Sequence, residues 1–119
     1  MKKVTLLICL LTMVFSVQAQ KKKKNAKVAI EVDGVCMMCK KRIEKAALNT
    51  KGVKFANWNV NTHELNLIID ERKTNKKMVC ESVAKVGHDT KEVKAPQEAY
   101  DALHGCCKYR DGEVIKEHH

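Results

Sequence analysis

Aromatic side chains are scarce in this sequence, at 4% of residues, and long apolar stretches are absent. The chain is basic, with a formal net charge of +9, a balance that raises the question of nucleic acid. Few aromatics, and lysines spread along the chain apart from Lys21–Lys24, argue against that partner. No apolar run reaches the ~20 residues that a membrane-spanning helix needs. The longest, Val4 to Val17, is interrupted by Thr5, Thr12 and Ser16. Proline occurs once, at Pro96, so the earlier cis-proline expected to face the cysteine pair of a thioredoxin-like site is missing. No internal repeat is present.

What the N-terminus does contain is the pattern of an export signal. Met1-Lys2-Lys3 supplies a short positive region, the apolar run follows, and Val17-Gln18-Ala19 offers a cleavage site that leaves Gln20 as the first mature residue. A retained anchor would need a longer apolar run. A lipoprotein would need a small residue before its cysteine, and Cys9 follows Ile8 inside the run. The expectation is a signal peptide over residues 1–19, a periplasmic location in a Gram-negative-type bacterium, and no stable membrane span after cleavage. Export is a second argument against nucleic acid. Residues 20–26, with Lys21–Lys24, are expected to be a disordered basic leader whose charge serves solubility or draws it to anionic headgroups.

Cysteine is the informative residue. The chain has six, of which Cys9 leaves with the signal; Cys36, Cys39, Cys80, Cys106 and Cys107 remain. An even count in an oxidising compartment would suggest a disulfide framework. An odd count, with one pair two residues apart and one pair adjacent, fits thiols kept for chemistry better.

Periodicity fixes the elements. Lys27 to Val32 alternates apolar and polar as a half-buried strand does, and Asp33-Gly34 ends it. From Met37 or Met38 to about Asn49 the apolar residues Cys39, Ile43 and Ala46 or Ala47 recur at helical spacing. Gly52 closes that helix, Val53 to Val60 is a second strand, Asn61-Thr62 a hairpin tip, and Leu65 to Ile69 a more buried third strand. Thr74 is the expected N-cap of a second helix carrying Val79, Val83 and Val86, stopped at Gly87. Lys91 to Lys94 reads as a short fourth edge strand. Pro96 suits a first helical position, and Gln97 to Leu103 a short third helix ended by Gly105. Beyond Tyr109 a frayed tail is expected.

Strand–helix–strand–strand–helix–strand is the order of a ferredoxin-like split βαβ pair, an α+β βαββαβ sandwich. This topology opens the loop after the first strand, the hairpin and the loop after the second helix at one end, so Cys36, Cys39, His63 and His88 share a neighbourhood. Cys36-Met37-Met38-Cys39 stands where strand gives way to helix. Two thiolates two residues apart can converge on one ion, and the helix N-terminus favours the thiolate form. Sulfur ligands select copper(I), zinc or similarly thiophilic ions over calcium and magnesium. Two ligands alone suit copper(I) or mercury(II) better than a closed tetrahedral zinc site.

Val32-Asp33-Gly34-Val35-Cys36-Met37-Met38-Cys39, with Ile43, Leu48 and Gly52-Val53 at matching offsets, resembles the heavy-metal-associated domain family. The resemblance spans residues 27–95. It leaves out residues 96–110, a cysteine-bearing helical extension, and residues 111–119, expected to be a flexible tail. It implies a metal carried by Cys36 and Cys39 and passed by thiol exchange to a donor or acceptor protein, such as a metal-transporting ATPase or efflux component. One departure is that only Val35 separates Gly34 from Cys36, so the loop is one residue shorter than is usual in the family. Another is His88, at a position where relatives often carry an aromatic residue or a lysine close to the metal.

Among further candidates, His88 is an imidazole third ligand, with an exposed loop histidine as the alternative. His63 at the hairpin and the thioethers of Met37 and Met38 are weaker ones. Cys80, inside the second helix, reads as a buried inert thiol. His104-Gly105-Cys106-Cys107 brings two more thiols. A bond between adjacent cysteines would be strained, and the ten steps from Pro96 suffice to return along a strand of ~17 Å. Cys106 or Cys107 is therefore a candidate to fold over the Cys36–Cys39 loop; the alternative is a flexible tail. The functional expectation is an exported, non-enzymatic soft-metal binder, copper(I) first, with mercury(II), zinc or cadmium behind it. The competing expectation is a thiol–disulfide oxidoreductase using the same cysteine pair.

Overall fold

The computed structural model describes residues 21–118; the expected signal peptide and cleavage site lie outside them. Three strands, β1 (Ala26–Glu31), β2 (Val53–Trp58) and β3 (Glu64–Ile69), form one antiparallel sheet in the order β1-β3-β2. Helix α1 (Met37–Leu48) joins β1 to β2, and α2 (Lys76–Lys85) follows β3. Among the described residues no helix is long and apolar enough to cross a membrane.

Strand register puts one apolar set on one face. Ala26, Val28 and Ile30 pair with Ile69, Leu67 and Leu65, and Ala56 and Trp58 with Leu67 and Leu65. Period-two alternation then sends all of these to the helix side. They meet Cys39, Ile43 and Ala47 of α1 and Val79 and Val83 of α2 in one buried cluster. Phe55, out of phase with that set, is 47% exposed. The basic leader is tied in at its end, where Glu71 N–H donates to the Lys23 carbonyl (2.9 Å).

Several boundaries differ from the sequence expectation, and β2 ends at Trp58 and not at Val60. The cap of α2 is Asn75 and not Thr74: the Asn75 side chain accepts from Met78 N–H (3.0 Å), while Thr74 is buried. The expected fourth strand does not form. Only a single bridge, Val32 to Thr90, extends the sheet. Thr90 N–H bonds the Val93 carbonyl (2.9 Å), and Val93 N–H bonds the Thr90 hydroxyl (3.0 Å). Asp89 Oδ1 takes Ala95 N–H (2.7 Å). Side-chain acceptors thus turn the chain before a ladder can grow.

That turn starts the extension. Gly87, at φ +105°, ends α2 with His88 N–H on the Val83 carbonyl (3.3 Å) and its own N–H on the Ala84 carbonyl (3.0 Å), a left-handed stop that glycine adopts without strain. A Cβ there would lie 2.7 Å from the Ala99 carbonyl oxygen, so glycine also lets α3 (Gln97–Asp101) approach. This helix is shorter than expected, and Lys108 Nζ donates to the Tyr100 and Asp101 carbonyls at its end (2.9 and 2.8 Å). A 3₁₀ turn, Gly105–Cys107, follows. In place of a frayed tail, Asp111 caps a last helix, α4 (Gly112–Glu117), by accepting from Glu113 N–H (3.0 Å).

Candidate metal centre

Cys36 is the N-cap of α1, with extended backbone (φ −140°, ψ 174°) and no side-chain cap bond of its own. Its sulfur sits at the positive end of the helix. Cys39, one turn on, is fully buried, whereas Cys36 is half-buried. Their sulfurs are 3.3 Å apart.

The loop before them is held from behind by Trp58, which is fully buried. Its indole N–H is shared between the Val32 and His63 carbonyls (3.0 and 3.2 Å). A Cβ on Gly34 would come within 3.0 Å of the Trp58 ring and 3.1 Å of Cys39 Cβ; only glycine lets the short loop pass between them. Trp58 is itself clamped to α1. Its N–H donates to Glu44 Oε2 (2.8 Å), and Lys40 Nζ, paired with Glu44, donates to its carbonyl (2.9 Å).

The extension returns to this loop. Cys107 Sγ lies 3.4 Å from Cys36 Sγ, and Cys106 Sγ lies 4.0 Å from it and 3.9 Å from Cys107 Sγ. Among the described residues, the group of ligand atoms all within 4.8 Å of one another is Cys36, Cys106 and Cys107. Met38 Sδ stands 3.6 Å from Cys106 Sγ. Three or four sulfurs around one ion, each at about 2.3 Å, would be about 3.8–4.0 Å apart. The observed 3.4–4.0 Å of the three-thiol group needs only small adjustments to match, so the donor set fits a thiophilic cation.

His88 stands apart from that group. It is completely buried and its Nδ1 is 2.9 Å from the Asp33 carbonyl oxygen. A carbonyl only accepts, so Nδ1 carries the proton. The Nε2 atom is buried without a partner. Burial, opposed by the bond to Asp33, lowers its pKa to about 4. His88, one of the candidate further ligands, packs here as a core post beneath the Asp33-Gly34 turn. His63 stacks on Trp58 at 5.6 Å between centroids. The topology gathers these histidines at the metal end, but their rings pack and do not join the sulfurs. Cys80 is buried, as expected.

Sequence reasoning missed Tyr109 and Arg110, which dock the extension. Tyr109 stacks on His88 at 5.4 Å, donates its hydroxyl to the Gly87 carbonyl (2.6 Å) and accepts from Asp89 N–H (2.9 Å). Arg110 grips the Asp89 carboxylate with two nitrogens (2.8 and 3.1 Å) and lies over the Tyr100 ring at 4.2 Å. Their only signal in the sequence is that they stand two and three residues after Cys107.

Acidity divides the thiols. Burial works against the Cys36 thiolate, but backbone N–H groups at Cys39 and Met38 and the thiols of Cys39 and Cys107 outweigh it, and its pKa falls below the ordinary thiol value. Burial raises Cys39 to about 12, with the neighbouring Cys36 and Cys107 sulfurs adding to the rise. Cys106 is raised to about 11 by desolvation and by the adjacent thiols. Cys36 is therefore the first sulfur to ionise of these three.

No protein-family model matches the chain, and no curated protein matches it. Solved structures do. A structure described as CopZ metallochaperone aligns with a TM-score of 0.53 at 24% identity, covering 55% of this chain and 98% of that one. The N-terminal domain of a potential copper-translocating P-type ATPase from Bacillus subtilis, in the Cu(I)-loaded state, aligns with a TM-score of 0.53 at 24% identity, covering 56% of this chain and 84% of that one. The N-terminal soluble domains of Bacillus subtilis CopA align with a TM-score of 0.52 at 31% identity, over 59% of this chain and 48% of that one. The chain thus spans about half the length of that last structure.

Proposed function

We propose that the chain is a heavy-metal-associated domain protein with a cysteine-bearing extension, and that it binds copper(I) as cargo in the periplasm. It takes the ion through the Cys36–Cys39 loop, sequesters it or passes it by thiol exchange to a metal-transporting ATPase or efflux component, and has no catalytic turnover. The single observation that carries this is the convergence of reduced sulfurs on the N-cap of α1, with Cys36 Sγ 3.3 Å from Cys39 and 3.4 Å from Cys107. Soft, low-coordinate sulfur sets favour copper(I), and mercury(II), zinc and cadmium follow by the same softness. The names of the similar structures, a metallochaperone and copper-translocating ATPase domains, support copper and a transporter partner. The residue pattern of Met1 to Ala19 supports export.

The test is native mass spectrometry of the chain produced under reducing conditions with copper(I), zinc and cadmium in competition, beside cell fractionation. The expected species is a chain beginning at Gln20, periplasmic, carrying copper. A Cys36→Ser/Cys39→Ser double variant should carry none. Equal metal content in the variant, or zinc displacing copper, would overturn the assignment.

A further inference from the structure

From the arrangement of the sulfurs we infer that the cargo ion occupies two positions that pivot on Cys36. One is a closed, three-thiolate site made by Cys36 with Cys106 and Cys107 of the extension. The other is an open, two-thiolate grip made by Cys36 with Cys39. The inference rests on the soft-metal function proposed above and specifies how that ion is held and released.

Three observations carry it. Cys36 is the common neighbour: Cys39, Cys107 and Cys106 lie 3.3, 3.4 and 4.0 Å from it. The group in which all ligand atoms approach one another includes both extension cysteines. The extension is also docked by a built interface rather than laid on the surface. Tyr109, buried against His88 and bonded to Gly87 and Asp89, fixes the residues immediately after the cysteine pair, and the Arg110–Asp89 pair fixes the next.

Exposure then gives direction to exchange. Cys39 and Cys107 are fully buried, Cys36 is half-buried and Cys106 is exposed. An incoming thiolate reaches the ion from the Cys106 side. It donates an electron pair to the metal, the metal–Cys106 bond breaks with its pair kept on sulfur, and the freed Cys106 thiolate takes a proton from water. Neither metal nor sulfur changes oxidation state. Cys107 then departs and takes the proton that Cys39 gives up as its thiolate binds, which leaves the ion on the Cys36–Cys39 grip, from which the acceptor draws it through the incoming thiolate. The extension is the gate between holding and handing over.

The experiment uses the full mature chain, reduced and loaded with one equivalent of copper(I). X-ray absorption counts sulfurs at the metal, and competition with bathocuproine disulfonate reports affinity and release rate. Wild type should show three sulfurs. Cys39→Ser should keep three. Cys106→Ser/Cys107→Ser should show two, bind at least ~10-fold more weakly and release faster. Because Cys107 is buried, Cys106→Ser alone is run beside it with circular dichroism; it should release copper faster with its fold intact. A sulfur count and affinity unchanged in the double variant, or a count that falls in Cys39→Ser, overturns the inference while leaving the soft-metal function standing. Failure of wild type to bind copper above a Cys36→Ser/Cys39→Ser control overturns both.

Discussion

Arg110→Gln should loosen the extension without unfolding the domain, and the size of the effect follows from its contacts. Arg110 makes two charge-assisted bonds to Asp89 (2.8 and 3.1 Å), a bond to the Ala95 carbonyl (3.2 Å) and a cation–π contact with Tyr100. The paired side chains are 24% and 13% exposed, so solvent screens them only in part. Losing a hydrogen-bonded charged pair of this kind costs about 2–3 kcal/mol. Asp89 keeps Ala95 N–H, which holds the cost below that of a fully orphaned carboxylate. Cys107 is completely buried, so a thiol reagent reaches it only when the extension lifts. At a factor of ten per 1.4 kcal/mol, alkylation of Cys107 should accelerate roughly 30–150-fold. Cys80, buried in α2, is the internal reference. The assay is timed iodoacetamide labelling of reduced, metal-free protein, with each cysteine read by peptide mass spectrometry. A Cys107 to Cys80 rate ratio equal to that of wild type would refute the idea that Arg110 latches the extension.

Two further outcomes follow from the site's supports. Gly34→Ala would press a methyl group against the Trp58 ring and Cys39 Cβ at 3.0–3.1 Å; overpacking of this kind costs about 1–3 kcal/mol. Urea denaturation should show that loss together with weaker copper(I) binding, whereas an unchanged midpoint and affinity would show that the loop has room to spare. For His88, burial lowers the folded pKa from 6.5 to about 4. The unfolded chain therefore takes up a proton that the folded chain refuses across that window. Stability from the neutral ring is complete above pH 6.5 and is lost as pH falls, by roughly 2–3 kcal/mol near pH 4.5. His88→Gln should flatten this part of the stability profile between pH 7.5 and 4.5. An identical slope in the variant would mean that other groups carry it.

Much of the domain was legible because its signals are periodic and local. Cys39, Ile43 and Ala47 recur at helical spacing and are all completely buried, and the alternation of Leu65, Leu67 and Ile69 marks the inner face of β3. The pair at the start of α1 was legible for the same reason, since Gly34, Cys36 and Cys39 act within a few residues of one another. What was not legible depends on partners far along the chain or on side chains competing with backbone. Thr90 and Asp89 capture the N–H groups of Val93 and Ala95 and cancel the edge strand expected at Lys91 to Lys94. His88 looked like a ligand because imidazole binds metals. The Asp33 carbonyl and the Tyr109 ring, 55 and 21 positions away, make it a core residue. Reach alone allowed Cys106 to return to the loop; that it does so depends on Tyr109 and Arg110 finding Gly87 and Asp89.

An acidic, half-buried Cys36 beside a buried, weakly acidic Cys39 is also the asymmetry that a disulfide-exchange enzyme uses, one sulfur to attack and one to resolve. Surroundings separate the two chemistries. A sulfur that attacks a substrate disulfide needs an open approach, with the leaving sulfur in line behind the one attacked. Around Cys36 that space is filled by Cys107 at 3.4 Å and Cys106 at 4.0 Å, with Met38 flanking Cys106. Such crowding hinders the in-line attack of Cys36 on a disulfide and suits a small cation, which each sulfur can approach from its own side. A thiol crowd also lowers the cost of letting go: one sulfur leaves while the others keep the ion. On the function proposed above, the extension that crowds Cys36 against disulfide attack is also what lets a metal leave in steps.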